Sequence, residues 1–360
     1  MIEGLPSGRT ISKGGYENRS KCGRKHYYAS EYGGVGLETS RADIEMAIGA
    51  ATHKGPEILL LGGGVEGAVT VCLKEWEQQE KGFQTDNNPL LSSQIEEGKA
   101  ITEAFTRGWH KYRLPQLLED YDIISVEEER HTPLSDVVSL YSRADFVARE
   151  KASGNIIVFN NKTAQDWDLS DWLFDIQMFT EALAEEWHLK QPVAGCMVEG
   201  FVKGRRSAGF LGSRLIYAYQ MKDGTLRQGT YTGGKKVFIP NIMPLSEWIE
   251  QLEPDTIANA FKRTPLIPKR ERVVERWLKT VVRRETDLFL LLTDPSITEE
   301  DRLEYFEQNF SKFNCRGCPF YDACFDLADI EGMVVSGRLR LRGTRRTGNV
   351  VPSQDGENLP

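Results

Sequence analysis

The sequence contains no apolar run long enough to cross a bilayer, which takes roughly 18–20 residues. Its longest candidate, Leu288 to Leu292, falls far short. The opening Met-Ile-Glu-Gly-Leu-Pro has neither a basic start nor an apolar stretch, so no export signal is read there. These two absences predict a cytoplasmic protein with no membrane partner. Cysteine is scarce, six in 360 residues, and without an export signal a disulfide framework is not expected. The cysteines are therefore read as free thiols, metal ligands or core residues. There is no internal repeat of roughly 20–50 residues and no long low-complexity stretch. A G-x4-G-K-[ST] phosphate loop is absent too, which leaves a built-in helicase motor unsupported. Positive charge is in deficit, since 45 Lys and Arg against 53 Asp and Glu give a net charge of −8. That argues against a chain coated in nucleic acid and leaves room for a local basic groove.

What is present is 40% hydrophobic and 27% charged residues, the mixture of a globular chain able to bury a core. A length of 360 residues allows two or three domains. Residues 41–53 read as a helix, with Ile44, Ala47, Ile48 and Ala51 at helical spacing and Gly55-Pro56 as the stop. A second helix is predicted over 94–112, broken at Pro115. From Ile123 to Lys162 short β-branched runs, with a Gly154-Asn155 turn, read as a β-meander. Residues 169–187 return to helix with Ser170 as N-cap. Val193 to Val202 and Leu211 to Tyr219 read as strands, and 245–311 as mostly helical. From about 331 the chain loses apolar periodicity and is expected to be a basic tail. The order of elements predicts an α/β fold, a mixed sheet flanked by helices.

Cys315-Arg-Gly-Cys318-Pro-Phe-Tyr-Asp-Ala-Cys324 is a C-x2-C-x5-C cluster. Three cysteines this close are explained more simply by a metal, which holds thiolates convergent, than by core packing. A closed site needs a fourth ligand, and Cys22, in Lys21-Cys-Gly-Arg-Lys-His-Tyr-Tyr28, is the best candidate. Cys72, in a helical stretch, and Cys196, in a strand, read as buried core thiols.

A cysteine followed by Arg-Lys-x-Tyr-Tyr near one end and C-x2-C-x5-C near the other resembles the iron-staple nucleases. These are RecB-like members of the PD-(D/E)XK superfamily, which include CRISPR adaptation nucleases and the AddB-type subunit. The resemblance implies a restriction-endonuclease-like core over residues 1–330 with a helical insertion at 245–311. It also implies a [4Fe-4S] cluster held by Cys22, Cys315, Cys318 and Cys324. Structural zinc is the alternative that C-x2-C equally suits.

Three further motifs fall in the family's order. Ala47 to His53 is similar to its small-residue helix ending in histidine, and His53 would offer an imidazole to a divalent metal. Ser142-Arg-Ala-Asp145 resembles G-R-x-D, with Asp145 as a hard oxygen ligand for Mg2+ or Mn2+. Ile157-Val-Phe-Asn160-Asn161-Lys162-Thr163 resembles an apolar strand ending in D/E-x-K-T. Strand alternation puts Asn160 and Lys162 on one face, so Asn160 would fill the third metal position and Lys162 would assist water attack. The family has an acid where this chain has Asn160, which predicts an attenuated or inactivated centre. Gln177 matches a Q-x3-Y helix that contacts DNA, while Glu181 replaces its tyrosine. Glu127, in a run of three glutamates, reads as a solvated strand end or a residue supporting the ligands from behind. Trp167 and Trp172 read as core aromatics that could otherwise stack on bases.

From Lys262 to Arg284 there are nine basic residues against two acidic ones, and Lys203 to Arg206 and Arg338 to Arg346 add further positive patches. Beside a phosphodiesterase centre such groups would track a nucleic-acid backbone. The resemblance thus implies a metal-dependent DNA exonuclease acting on single strands or ends, with recombination, replication or CRISPR-adaptation proteins as partners. The alternatives are a catalytically weak DNA-binding or scaffolding subunit on the same fold and a zinc-stabilised interaction module.

Overall fold

Ile156, Ile157, Val158 and Phe159 are all buried, so the strand they open is covered on both faces, as its unbroken apolar run requires. The computed structural model describes residues 8–12, 15, 19–39, 44–80, 83, 89–173, 175–203, 215–220, 226–227, 235–240, 254–325 and 327–342. Its architecture is mixed α/β, and the chain divides into two units.

One unit spans Ala42–Arg130 and Ser142–Glu271. Four helices come first: α1 (Ile44–Leu60), α2 (Val65–Glu80), α3 (Pro89–Tyr112) and α4 (Leu114–Asp120). Then follow β1 (Tyr121–Val126), β2 (Phe146–Glu150), β3 (Ile156–Ala164), α5 (Ile176–Leu189), β4 (Val193–Val202) and β5 (Phe261–Arg263). The sheet order is β5-β4-β3-β2-β1, with Ile267–Pro268 also pairing to β4. β3 and β4 run parallel across the α5 crossover, and the other pairs are antiparallel. Side-chain alternation splits the core in two. Phe146, Ile157 and Phe159 face Ala47, Ile48 and Ala51 of α1 and Phe105 and Trp109 of α3. Val147, Ile156 and Val158 face Met178 and Ala182 of α5.

The meander and the β4 strand agree with expectation, and Cys72 and Cys196 are buried in α2 and β4. Some boundaries differ. Gly55-Pro56 does not stop α1, which continues to Leu60. Gly55 packs on Thr106 of α3, where a Cβ would lie 2.5 Å from Oγ1, so close helix packing overrides the local break signal. The single helix predicted over 169–187 is two, a turn at Ser170–Leu173 and then α5. Its cap is Asp175, whose side chain accepts from the Gln177 N–H at 2.9 Å. The helical stretch over 245–311 is interrupted by β5 and Ile267–Pro268, while 245–253 lies outside the described residues. Of the predicted strand at 211–219, the part from Leu215 is strand, running to Gln220 and paired with Lys235–Pro240, while 211–214 lies outside the described residues.

The other unit comprises Met1–Arg41, His131–Tyr141 and Arg272–Pro360. Its core gathers Tyr27, Tyr28, Leu37, Leu288, Phe306 and Phe320. Arg9–Ile11 pairs parallel with the strand beginning at Val138, and Leu37–Thr39 pairs antiparallel with Leu339–Leu341. The tail expected from 331 is therefore ordered in part. The helix Ile330–Val335 buries Met333, and Leu339 is buried in the strand that follows, two anchors too few to register as a periodicity. Residues 343–360 lie outside the described residues.

Candidate metal centre

The Phe146–Phe159 pair ends the β2–β3 ladder, and Asp145 lies in the bend just before β2. From there its Oδ2 accepts the backbone N–H of Asn161 at 2.5 Å, and its Oδ1 lies 3.1 Å from Nδ1 of His53 on α1. Glu127 follows β1 and extends the β1–β2 ladder, its N–H donating to the Asp145 carbonyl at 3.0 Å. Its backbone is left-handed, φ 51°, an unusual conformation for a non-glycine and a mark of local constraint. His53, Glu127 and Asp145 each bring a ligand atom within 4.8 Å of the other two.

Electrostatics separate the two acids. Burial penalises the Asp145 charge, but His53, Lys162 and the Asn161 N–H outweigh it and hold that carboxyl well below its usual range. Burial and then the Asp145 charge push the Glu127 carboxyl up, and Arg143, whose Nε lies 2.9 Å from Glu127 Oε2, offsets part of this. One imidazole and two carboxylates suit Mg2+ or Mn2+. The neighbouring Asn161 Oδ1 is buried without a hydrogen-bond partner among the described residues, the kind of polar atom that a bound water or ion satisfies. The donor set fits a hard divalent ion.

On the α5 side of β3, Asn160 and Lys162 share a face as expected. Gln177 joins them, since its Oε1 accepts from Lys162 Nζ at 3.1 Å and its Nε2 donates to Asn160 Oδ1 at 3.1 Å. The same Nε2 donates to Oε1 of Glu181 at 2.6 Å, and Asn160 Nδ2 donates to Glu181 Oε2 at 2.7 Å. Asn160 therefore has both amide ends engaged. Burial pushes the Glu181 carboxyl up to about 7, with the Lys162 charge and the two amide donors restraining it. Trp167 and Trp172 pack against the α5-side core, with ring centroids 5.8 Å apart. Sequence reasoning undervalued two residues here. Glu127 was hidden in a run of acids, and Glu181 stood out only as a missing tyrosine.

Cys22, Cys315, Cys318 and Cys324 are all free thiols of the unit that holds both chain ends. Lys21 O accepts from Asn309 Nδ2 at 2.8 Å and from Asn314 Nδ2 at 3.2 Å. Gly23 lies so close to Glu307 that a Cβ would be 2.9 Å from its carbonyl oxygen. Burial pushes the Cys324 thiol up to about 11, and Cys318, Cys22 and Cys315 each add to the rise. Among the described residues, no three of these sulfurs come within 4.8 Å of one another.

The basic stretch is split between the units. Arg263 pairs with Glu199 and Lys269 with Glu186, while Arg272, Arg276, Lys279 and Arg283 are exposed on the helix Glu271–Thr293. Lys203 pairs with Glu45, and positions 204–206 and 343–346 of the other patches lie outside the described residues.

In comparisons with known proteins, no family model matches the chain and no curated protein matches it. Among the described residues, no helix is long and apolar enough to cross a membrane.

Proposed function

We propose that this chain is a divalent-metal-dependent deoxyribonuclease of the RecB-like PD-(D/E)XK kind, cutting single strands or DNA ends on a restriction-endonuclease-like core. The observation that carries this reading is the convergence of His53, Glu127 and Asp145 within 4.8 Å. A helix, the end of one strand and the approach to another each contribute one donor. His53, Glu127 and Asp145 would hold a Mg2+ or Mn2+ ion, which polarises a phosphoryl oxygen and acidifies a water when bound. Lys162, its ammonium fixed by Gln177 Oε1 at 3.1 Å, supplies positive charge where the phosphate gains negative charge. The exposed Arg272, Arg276, Lys279 and Arg283 are suited to phosphates rather than bases, so little sequence preference is expected.

The same reading gives Cys22, Cys315, Cys318 and Cys324 a structural [4Fe-4S] cluster. The experiment is digestion of end-labelled single-stranded DNA with Mn2+ or Mg2+, run beside His53→Ala and Asp145→Asn. Metal-dependent release of label, lost in both variants, supports the nuclease. DNA bound but uncut at every metal concentration favours the second reading, a DNA-binding subunit whose neutral Asn160 marks a silenced centre.

A further inference from the structure

The segment between β3 and α5 carries two tryptophans that the metal centre leaves unused. Trp76 and Trp109 are fully buried, whereas Trp167 and Trp172 are half-buried and rest only in part on the α5-side core. Their ring centroids lie 5.8 Å apart, with the planes inclined by 40°. Gly200 on β4 sets their place, since a Cβ there would overlap Cζ3, Cε3 and Cη2 of Trp167. The indole therefore rests directly on the strand backbone. In the parallel β3–β4 ladder Gly200 is the register partner of Lys162. Paired residues point to the same face of a sheet, and neighbouring strands lie ~4.8 Å apart. Trp167 is thus seated beside Lys162, on the face from which that lysine reaches Gln177.

Charge decides which part of a nucleotide such a wall can take. Asp166, Asp168 and Asp171 around the rings are exposed, and the sequence has no Lys or Arg between Lys162 and Asp175. That rim repels phosphates and leaves a neutral aromatic group as the fitting ligand. We propose that Trp167 and Trp172 form a stacking subsite for an unpaired nucleobase, the base of the nucleotide whose phosphate lies at Lys162. This rests on the nuclease reading above. An aromatic face accepts any base, so the subsite reads strandedness and not sequence. A base inside a duplex is already stacked on both faces and cannot use it, which gives single strands and frayed ends their preference.

The test reads fluorescence anisotropy of a labelled oligothymidylate and of its abasic counterpart on the full chain, in EDTA so that nothing is cut. The intact strand should bind at least about tenfold more tightly than the abasic one. Trp167→Leu and Trp172→Leu keep an apolar group on the core. Each should bring that ratio within about threefold of unity while leaving abasic-strand affinity unchanged within the same margin. Trp172→Phe retains a ring and should keep most of the preference. Gly200→Ala displaces the Trp167 ring with both indoles still present and should lower the ratio too. It decides the matter if a leucine variant does not fold. The inference is overturned if these variants keep the wild-type ratio, or if the wild type binds the two strands alike. In both cases the nuclease reading survives, because backbone contacts suffice for it. A wild-type chain that binds neither strand sinks both.

Discussion

His53 Nδ1 stands 3.1 Å from Asp145 Oδ1, a contact that joins residues 92 positions apart in the chain. The second Asp145 oxygen is held by the Asn161 N–H at 2.5 Å. One carboxylate of the centre is thus oriented by the protein itself, the pre-organisation that a metal site needs. The repulsion in the centre lies between Asp145 and Glu127, and it yields two predictions.

Glu127→Gln removes a half-buried acid from beside an ionised one. The metal-free variant should melt higher than the wild type, by an amount equivalent to about 0.5–2 kcal/mol. Its Mn2+ affinity should fall at least about tenfold. Thermal melts with and without Mn2+ read both effects. A lower melting temperature with unchanged metal affinity would make Glu127 a structural residue.

The Glu127 carboxyl is raised above its ordinary range by burial and by Asp145, so the metal-free chain retains that proton toward neutral pH. A bound cation displaces it. Mn2+ affinity should therefore rise with pH from acid toward neutrality and level off once Glu127 is ionised in the free chain. Calorimetry in buffers of different ionisation heat should record up to one proton released per Mn2+. Affinity that falls with rising pH would contradict the assignment.

His53, Asp145 and Lys162 were legible because each sits in a local pattern whose order along the chain carries information. Glu127 was not, since three successive glutamates look alike until the β1–β2 register singles out one of them. Glu181 was visible as Gln177 plus four, but its meaning depends on Asn160, which only the β3–α5 packing brings to it. The fold followed the same division. Apolar strands such as Ile157 to Phe159 announced themselves, whereas α1 runs through Gly55-Pro56 because tertiary packing on Thr106 decides there. The end of the chain hid its order in two residues, Met333 and Leu339.

Glu31 ties together the unit that holds both chain ends. Its Oε1 lies 2.6 Å from Arg9 Nη2 and 3.0 Å from His26 Nε2, and Arg9 Nε reaches Glu285 at 2.8 Å. Burial alone would raise the Glu31 carboxyl, but His26 and Arg9 outweigh it and hold it at about 2. The folded value is depressed, so this stabilisation is complete above the unfolded value of ~4.3 and fades as pH falls toward 2. It amounts to about 3 kcal/mol. Urea midpoints should drop between pH 5 and pH 3, and Glu31→Gln should be less stable at pH 6 while flattening that part of the profile. A variant with the wild-type profile would remove Glu31 from the account.

For the cysteines, anaerobically purified protein should be brown and carry about four irons per chain. Cys318→Ala should lose the iron and much of the stability. Cys72→Ala removes a buried thiol 3.2 Å from Thr106 Oγ1 and should keep the iron. Stoichiometric zinc without iron would replace the cluster with the simpler ion.

The central claim is that His53, Glu127 and Asp145 form one divalent-cation site. Anomalous diffraction from crystals grown with Mn2+ tests it most directly. The account predicts a manganese peak within bonding distance of the His53 imidazole and of both carboxylates. Crystals that bind manganese only elsewhere, with His53 still on Asp145 and no peak between them and Glu127, would contradict it.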